Sequence, residues 1–167
     1  MNSRNKGANG ERELAALIHE ELGVRLVRNL EQSRRGGHDL ILHPDESGPV
    51  ASWLARYAFE CKRHSRATPA LLRGWWSQTC NQAEHCRLLP ALAYREDRAS
   101  WRVVLPLCCL RPDLPAWDYR LEYTVELSVA GFAALAREFT GPSTGNAARY
   151  FAPRLSASDQ CGTKRNT

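Results

Sequence analysis

The stretch Ala58-Phe59-Glu60-Cys61-Lys62 decides how this chain is read. It follows Tyr57 and has the composition of a strand entering a core. Side chains alternate across a strand, so Glu60 and Lys62 share one side while Phe59 and Cys61 face the other, into packing. Working back, Asp39 heads a second apolar run, Asp39-Leu40-Ile41-Leu42, 21 positions before Glu60. Carboxylates on two neighbouring strands can hold a metal ion, with a lysine standing beside whatever that ion polarises. An Asp followed by Glu-x-Lys in this arrangement suits metal-dependent phosphodiester chemistry. A bare Glu-x-Lys also fits a solvated ion pair on an edge strand, so the flanking sequence has to decide.

Upstream, residues 2–10 are polar and glycine-containing and read as a loose arm, and residues 11–22 read as a helix stopped by Gly23. At about 100° per residue, Glu11 falls on the side of Leu14, Ile18 and Leu22. Glu11 is therefore expected to point toward the sheet and Glu13 outward. Arg12 points away from the core, which suits a phosphate contact. An acid at a helix start is also what the helix dipole favours. Residues 24–28 alternate as a short strand. Residues 29–37 form a loop whose Ser33-Arg34-Arg35-Gly36-Gly37 centre is basic, so that amides and guanidinium groups can approach phosphate. Residues 38–43 form the strand carrying Asp39, residues 44–50 are turn-rich, and residues 53–62 lead into the strand carrying Glu60.

Downstream, residues 63–69 are a polar, basic loop, and a helix is expected over residues 70–89, closed by Pro90. Gln78 and Gln82 lie one turn apart on one face of it. Either can orient a water or contact the backbone near a metal, or both are ordinary solvent-facing amides. Trp75 and Trp76 read as core. Residues 91–94 and 101–107 form a hairpin around a charged turn. Pro112 and Pro115 break the pattern, residues 120–127 alternate as a strand, and Ser128 caps a helix over 129–139. The expected organisation is a core over 1–110, a strand–helix extension over 111–152, and a disordered tail over 153–167.

A chain of 167 residues is long enough to bury one good core. The formal charge of +5 points to an acidic partner, and its distribution says more than its size. Lys62, Arg63, Arg66 and Arg73 run without an intervening acid, and Arg34 and Arg35 just precede Asp39, so positive charge clusters beside the carboxylates. The six cysteines form no disulfide framework. Cys80, His85 and Cys86 lack the paired spacing of a zinc site. With no secretory leader and no membrane-spanning run, a reducing cytoplasmic setting is expected.

The order helix-with-Glu, strand-with-Asp, strand-with-Glu-x-Lys, helix, strand resembles the PD-(D/E)xK nuclease superfamily. The block Lys6-Gly7-Ala8-Asn9-Gly10-Glu11-Arg12-Glu13-Leu14 resembles the opening of archaeal-type Holliday-junction resolvases, and phage-encoded members resemble this chain more closely around the Trp-Gln helix. The resemblance covers about residues 5–107 and departs at His38, where the family name has proline. It implies an α/β, restriction-endonuclease-like core, a central mixed sheet of about five strands flanked by helices in αβββαββ order. It further implies Asp39, Glu60 and the Cys61 carbonyl as metal ligands, with Glu11 completing the acidic cluster. Lys62 would position the attacking water or stabilise charge on the phosphate, and Gln78 would complete the catalytic set. Lys6, Arg12, Arg28, Arg34, Arg35, Arg63 and Arg66 would hold DNA. The implied cofactor is Mg²⁺, with Mn²⁺ substituting, and the implied products carry a 5′-phosphate and a 3′-hydroxyl. The expected substrate is a four-way junction. It needs two symmetric cuts and so a twofold homodimer, with no membrane partner. Competing expectations are a restriction- or repair-type nuclease on the same core, and a DNA-binding module whose active site has decayed.

Overall fold

A computed structural model of the chain describes residues 3–30, 37–111 and 119–141, with side chains from Gly7 onward. Its first helix, α1 (Ser3–Leu22), takes in most of the stretch expected to be a loose arm. Tertiary contact overrides propensity there. Gly10 faces the sheet, where a Cβ built on it would be in ordinary contact with the Trp101 ring at 3.5 Å and the Arg63 Cβ at 3.6 Å. Gly23, at φ 69°, ends α1, its N–H bonding the His19 carbonyl at 2.8 Å.

Six strands follow in a single sheet whose spatial order is the chain order: β1 (Leu26–Arg28), β2 (Leu40–Leu42), β3 (Tyr57–His64), β4 (Leu89–Glu96), β5 (Arg102–Pro106) and β6 (Thr124–Ser128). Every neighbouring pair is antiparallel except β3 and β4. A parallel pair needs a crossover, and helix α3 (Pro69–Cys86) supplies it. Thr68 caps α3 by accepting the Leu71 N–H, and Pro69 takes the first turn, where a missing N–H costs nothing. The helix stops at Arg87, in a left-handed conformation at φ 55°, and not at Pro90. Pro90 lies within β4, in a part that pairs with β3 but lies beyond the β4–β5 register.

A short helix, α2 (Pro49–Leu54), precedes β3 and was not expected, because six residues show too little of a helical period to be read. The final helix, α4 (Val129–Thr140), is capped as expected by Ser128, whose hydroxyl accepts the Gly131 N–H at 3.0 Å. The alternating segment before it begins as a 3₁₀ turn, Leu121–Tyr123, and becomes strand only at β6.

Helices α1, α2 and α4 cover one face of the sheet. Trp53 from α2, Phe132 from α4, and Tyr57 and Phe59 from β3 pack there with ring centroids 4.8–6.2 Å apart. Helix α3 covers the other face, with Trp76 against Leu92, Tyr94 and Val104. Trp76 is core as expected, while Trp75 is half-buried at the edge of that cluster, between the rings of His64 and Tyr94. Among the described residues, no helix is long and apolar enough to cross a membrane.

Candidate active site

Strand β3 sends Tyr57, Phe59 and Cys61 toward α1 and Glu60 and Lys62 toward α3. The Glu60 carboxylate is 2% exposed. Its Oε1 accepts from Lys62 Nζ at 2.5 Å and from Gln78 Nε2, on α3, at 2.9 Å. Gln78 thus reaches Glu60 from an otherwise exposed helix position, while the Gln82 Oε1 one turn on is buried without a hydrogen-bond partner. Glu60 Oε2 is also buried and, among the described residues, receives no hydrogen bond. Leaving a buried carboxylate oxygen unpaired is costly, so an unmet acceptor here invites a cation.

Asp39 precedes β2. Its backbone N–H donates to the Phe59 carbonyl at 2.7 Å, and Leu40 lies opposite Phe59, so continuing that register sets Asp39 across from Glu60. The Asp39 Oδ2 accepts the Cys61 N–H at 2.6 Å. Two carboxylates from adjacent strands therefore flank the Cys61 backbone. Burial pushes the Cys61 thiol well above its ordinary pKa, and the charges of Asp39, Glu11 and Glu60 reinforce the shift.

Glu11 faces inward from α1, but its carboxylate accepts a hydrogen bond from Arg28 Nε on β1 and is held there. Among the described residues, no three Asp, Glu, His or Cys side chains close around a common point as metal ligands. The donor set still fits a hard divalent ion: carboxylate oxygens on neighbouring strands, one of them orphaned and buried.

Glu13 does not face outward. It pairs with Arg95 and lies 3.9 Å from Arg63. The cause is the sheet register, which sets Arg63 directly beside Arg95 on parallel strands, and Glu13 neutralises both. Arg63 also lies 3.8 Å from Asp97, so its guanidinium is engaged within the protein. Arg28 is occupied by Glu11, as described. Arg12 is exposed and donates to Asn9 at 3.0 Å, and Arg66 is exposed. Arg34, Arg35 and the side chain of Lys6 lie outside the described residues. Glu96, unnoticed in the sequence, accepts the Ala67 N–H at 2.5 Å and so braces the loop leading into α3.

The sequence places the chain among the PD-(D/E)xK nucleases. A model of the family described as "Phage putative PDDEXK endonuclease" matches residues 2–112, more than half of the chain, which belongs to that family. The chain is similar to Protein D14 of Escherichia phage T5, at 27% identity over 118 residues, covering 63% of this chain and 71% of that protein. Among solved structures it is similar to Hjc, a Holliday junction resolvase from Archaeoglobus fulgidus. That match has a TM-score of 0.40 and 15% identity, covering 77% of this chain and 96% of the other.

Proposed function

We propose that this protein is a Mg²⁺-dependent, structure-selective DNA endonuclease that resolves four-way junctions as a homodimer. Family membership supports the nuclease activity. The observation that carries the catalytic assignment is the Glu60 carboxylate, buried with one oxygen unpaired, across from Asp39 and bonded to Lys62. Asp39, Glu60 and the Cys61 carbonyl would hold Mg²⁺, which Mn²⁺ replaces, since hard oxygen donors suit both ions. The bound ion would supply Lewis acidity at the phosphate and favour an ionised water. Lys62 stands beside the carboxylate and places positive charge where the phosphate gains negative charge. Gln78 holds Glu60 in place from α3. Water attacks phosphorus, the P–O3′ bond breaks, the leaving 3′-oxygen takes up a proton, and the phosphate stays on the 5′ end.

The junction substrate rests on the likeness of residues 6–14 to the opening of archaeal-type resolvases, and the homodimer on the need for two symmetric cuts. Exposed Arg12 and Arg66 would contact the DNA backbone, along with Lys6, Arg34 and Arg35, which gives shape selectivity without base readout. Glu11 and Arg28, now paired, would separate as the arginine turns to phosphate. The test is cleavage of a mobile four-way junction, a fork and a linear duplex side by side in Mg²⁺. Paired symmetric cuts confined to the junction are expected. Equal cutting of duplex would favour a restriction- or repair-type nuclease, and junction binding without cleavage in Mg²⁺ or Mn²⁺ would favour a decayed site.

A further inference from the structure

Asn29 is the first residue after β1, and the β1–β2 register, which sets Arg28 opposite Leu40, continues to place Asn29 opposite Asp39. Two hydrogen bonds leave this one residue for the segment that carries the acid. Its backbone N–H donates to the Asp39 carbonyl at 2.8 Å, and its side-chain Nδ2 donates to the His38 carbonyl at 3.0 Å. The segment enters through Gly37, at φ 132°, a backbone conformation that L side chains seldom adopt. A Cβ built on Gly37 would lie 3.6 Å from that same Asn29 Nδ2, so the amide packs against the turn as well as bonding it.

On its other side Asp39 is fixed by the Phe59 carbonyl and the Cys61 N–H. The acid is thus held between β3, an interior strand, and Asn29, at the end of a three-residue edge strand. The family is named for a Pro-Asp pair, and a proline before the acid fixes φ covalently. This chain has His38 there, whose φ is free to vary.

We propose that Asn29 is a positioning residue for the metal site: its side-chain hydrogen bond to the His38 carbonyl supplies the restraint that proline would otherwise give and sets the aim of the Asp39 carboxylate. Asparagine suits the task because its amide donates to a carbonyl, which aspartate at the same size cannot do. The inference rests on the reading of Asp39 as a metal ligand. Groups that orient a ligand typically govern about 10–100-fold in metal affinity or activity.

The test is Mn²⁺ binding by calorimetry to the full chain and to Asn29→Ala and Asn29→Asp, with the melting temperature of each metal-free protein measured alongside. Asn29→Ala is expected to weaken Mn²⁺ binding about tenfold or more, with junction binding in EDTA unchanged. Asn29→Asp separates positioning from charge. Its carboxylate by itself attracts a cation but sets an acceptor against the His38 carbonyl, so weaker Mn²⁺ binding is expected here too and marks a loss of positioning, not of charge. Unchanged Mn²⁺ binding in Asn29→Ala overturns the proposal while leaving Asp39 as a ligand. Absence of Mn²⁺ binding by the parent protein overturns the metal site itself, and the proposal with it.

Discussion

The two sides of strand β3 are buried alike and do opposite things. Phe59 is 1% exposed and Glu60, its neighbour, 2%. On the α1 side, Phe59 meets Tyr57 and Phe132, which Trp53 joins through Phe132, in an aromatic cluster whose only demand is shape. On the α3 side, Glu60 takes a charge out of water with one oxygen supplied by Lys62 and Gln78 and the other by nothing. A core residue is buried because burial stabilises it. A carboxylate so buried costs stability, and such a violation of the folding rules is expected where function requires it. One strand can carry both because alternation keeps them apart, and substitutions on its two sides should therefore fail differently.

The largest difference is expected at Glu60 itself. Glu60→Gln should lower junction cleavage by about 10³-fold or more, as loss of a ligand or charge-stabilising group in a preorganised site does, with a melting temperature at or above the parent's. A variant that melts early while its folded fraction cuts normally would move Glu60 to the structural side. Phe132→Ala should do the reverse, costing about 3–5 kcal/mol in urea unfolding while the folded protein cleaves at close to the parent rate. Gln78→Ala sharpens the contrast, since this side chain touches only the α3 side. A loss of roughly tenfold in cleavage is expected with no shift in melting temperature, and an unchanged rate would leave Gln78 as a surface amide.

The smallest effect concerns the thiols. Cys61 points to the α1 side yet feels the carboxylates of the site, and its raised pKa should keep it unmodified by an alkylating agent at pH 8. The Cys108 thiol is brought below its ordinary pKa by its hydrogen bond with Cys109. Its alkylation at pH 7 should therefore outpace that of Cys61, as site-resolved mass spectrometry would report. Rapid alkylation of Cys61 would mean that the acidic groups are not packed around it.

Much of this contrast was legible in the sequence, because alternation along a strand is local. Tyr57 to Lys62 could be sorted into two sides from spacing alone, and Ser128 announced the start of α4. What escaped depends on partners distant in the chain. The early part of α1 lies beside Trp101 and Arg63, which are distant in the chain. The inward turn of Glu13 needs Arg63 and Arg95 to lie side by side, which only the parallel β3–β4 pairing brings about. Glu11 fell on the expected face of its helix, but its capture by Arg28 follows from where β1 lies, and a helical wheel carries no information about that. Asn29 read as the first residue of a loop, since nothing local signals that it lies opposite Asp39.

The most direct test of the central claim, that Asp39 and Glu60 form the cleavage site on the α3 side of β3, is the Asp39→Asn protein. It should be assayed on a labelled four-way junction in Mg²⁺, with junction binding in EDTA and thermal melting measured on the same preparation. The account predicts cleavage reduced by about 10³-fold or more, with binding and melting unchanged. Cleavage at the parent rate would contradict it.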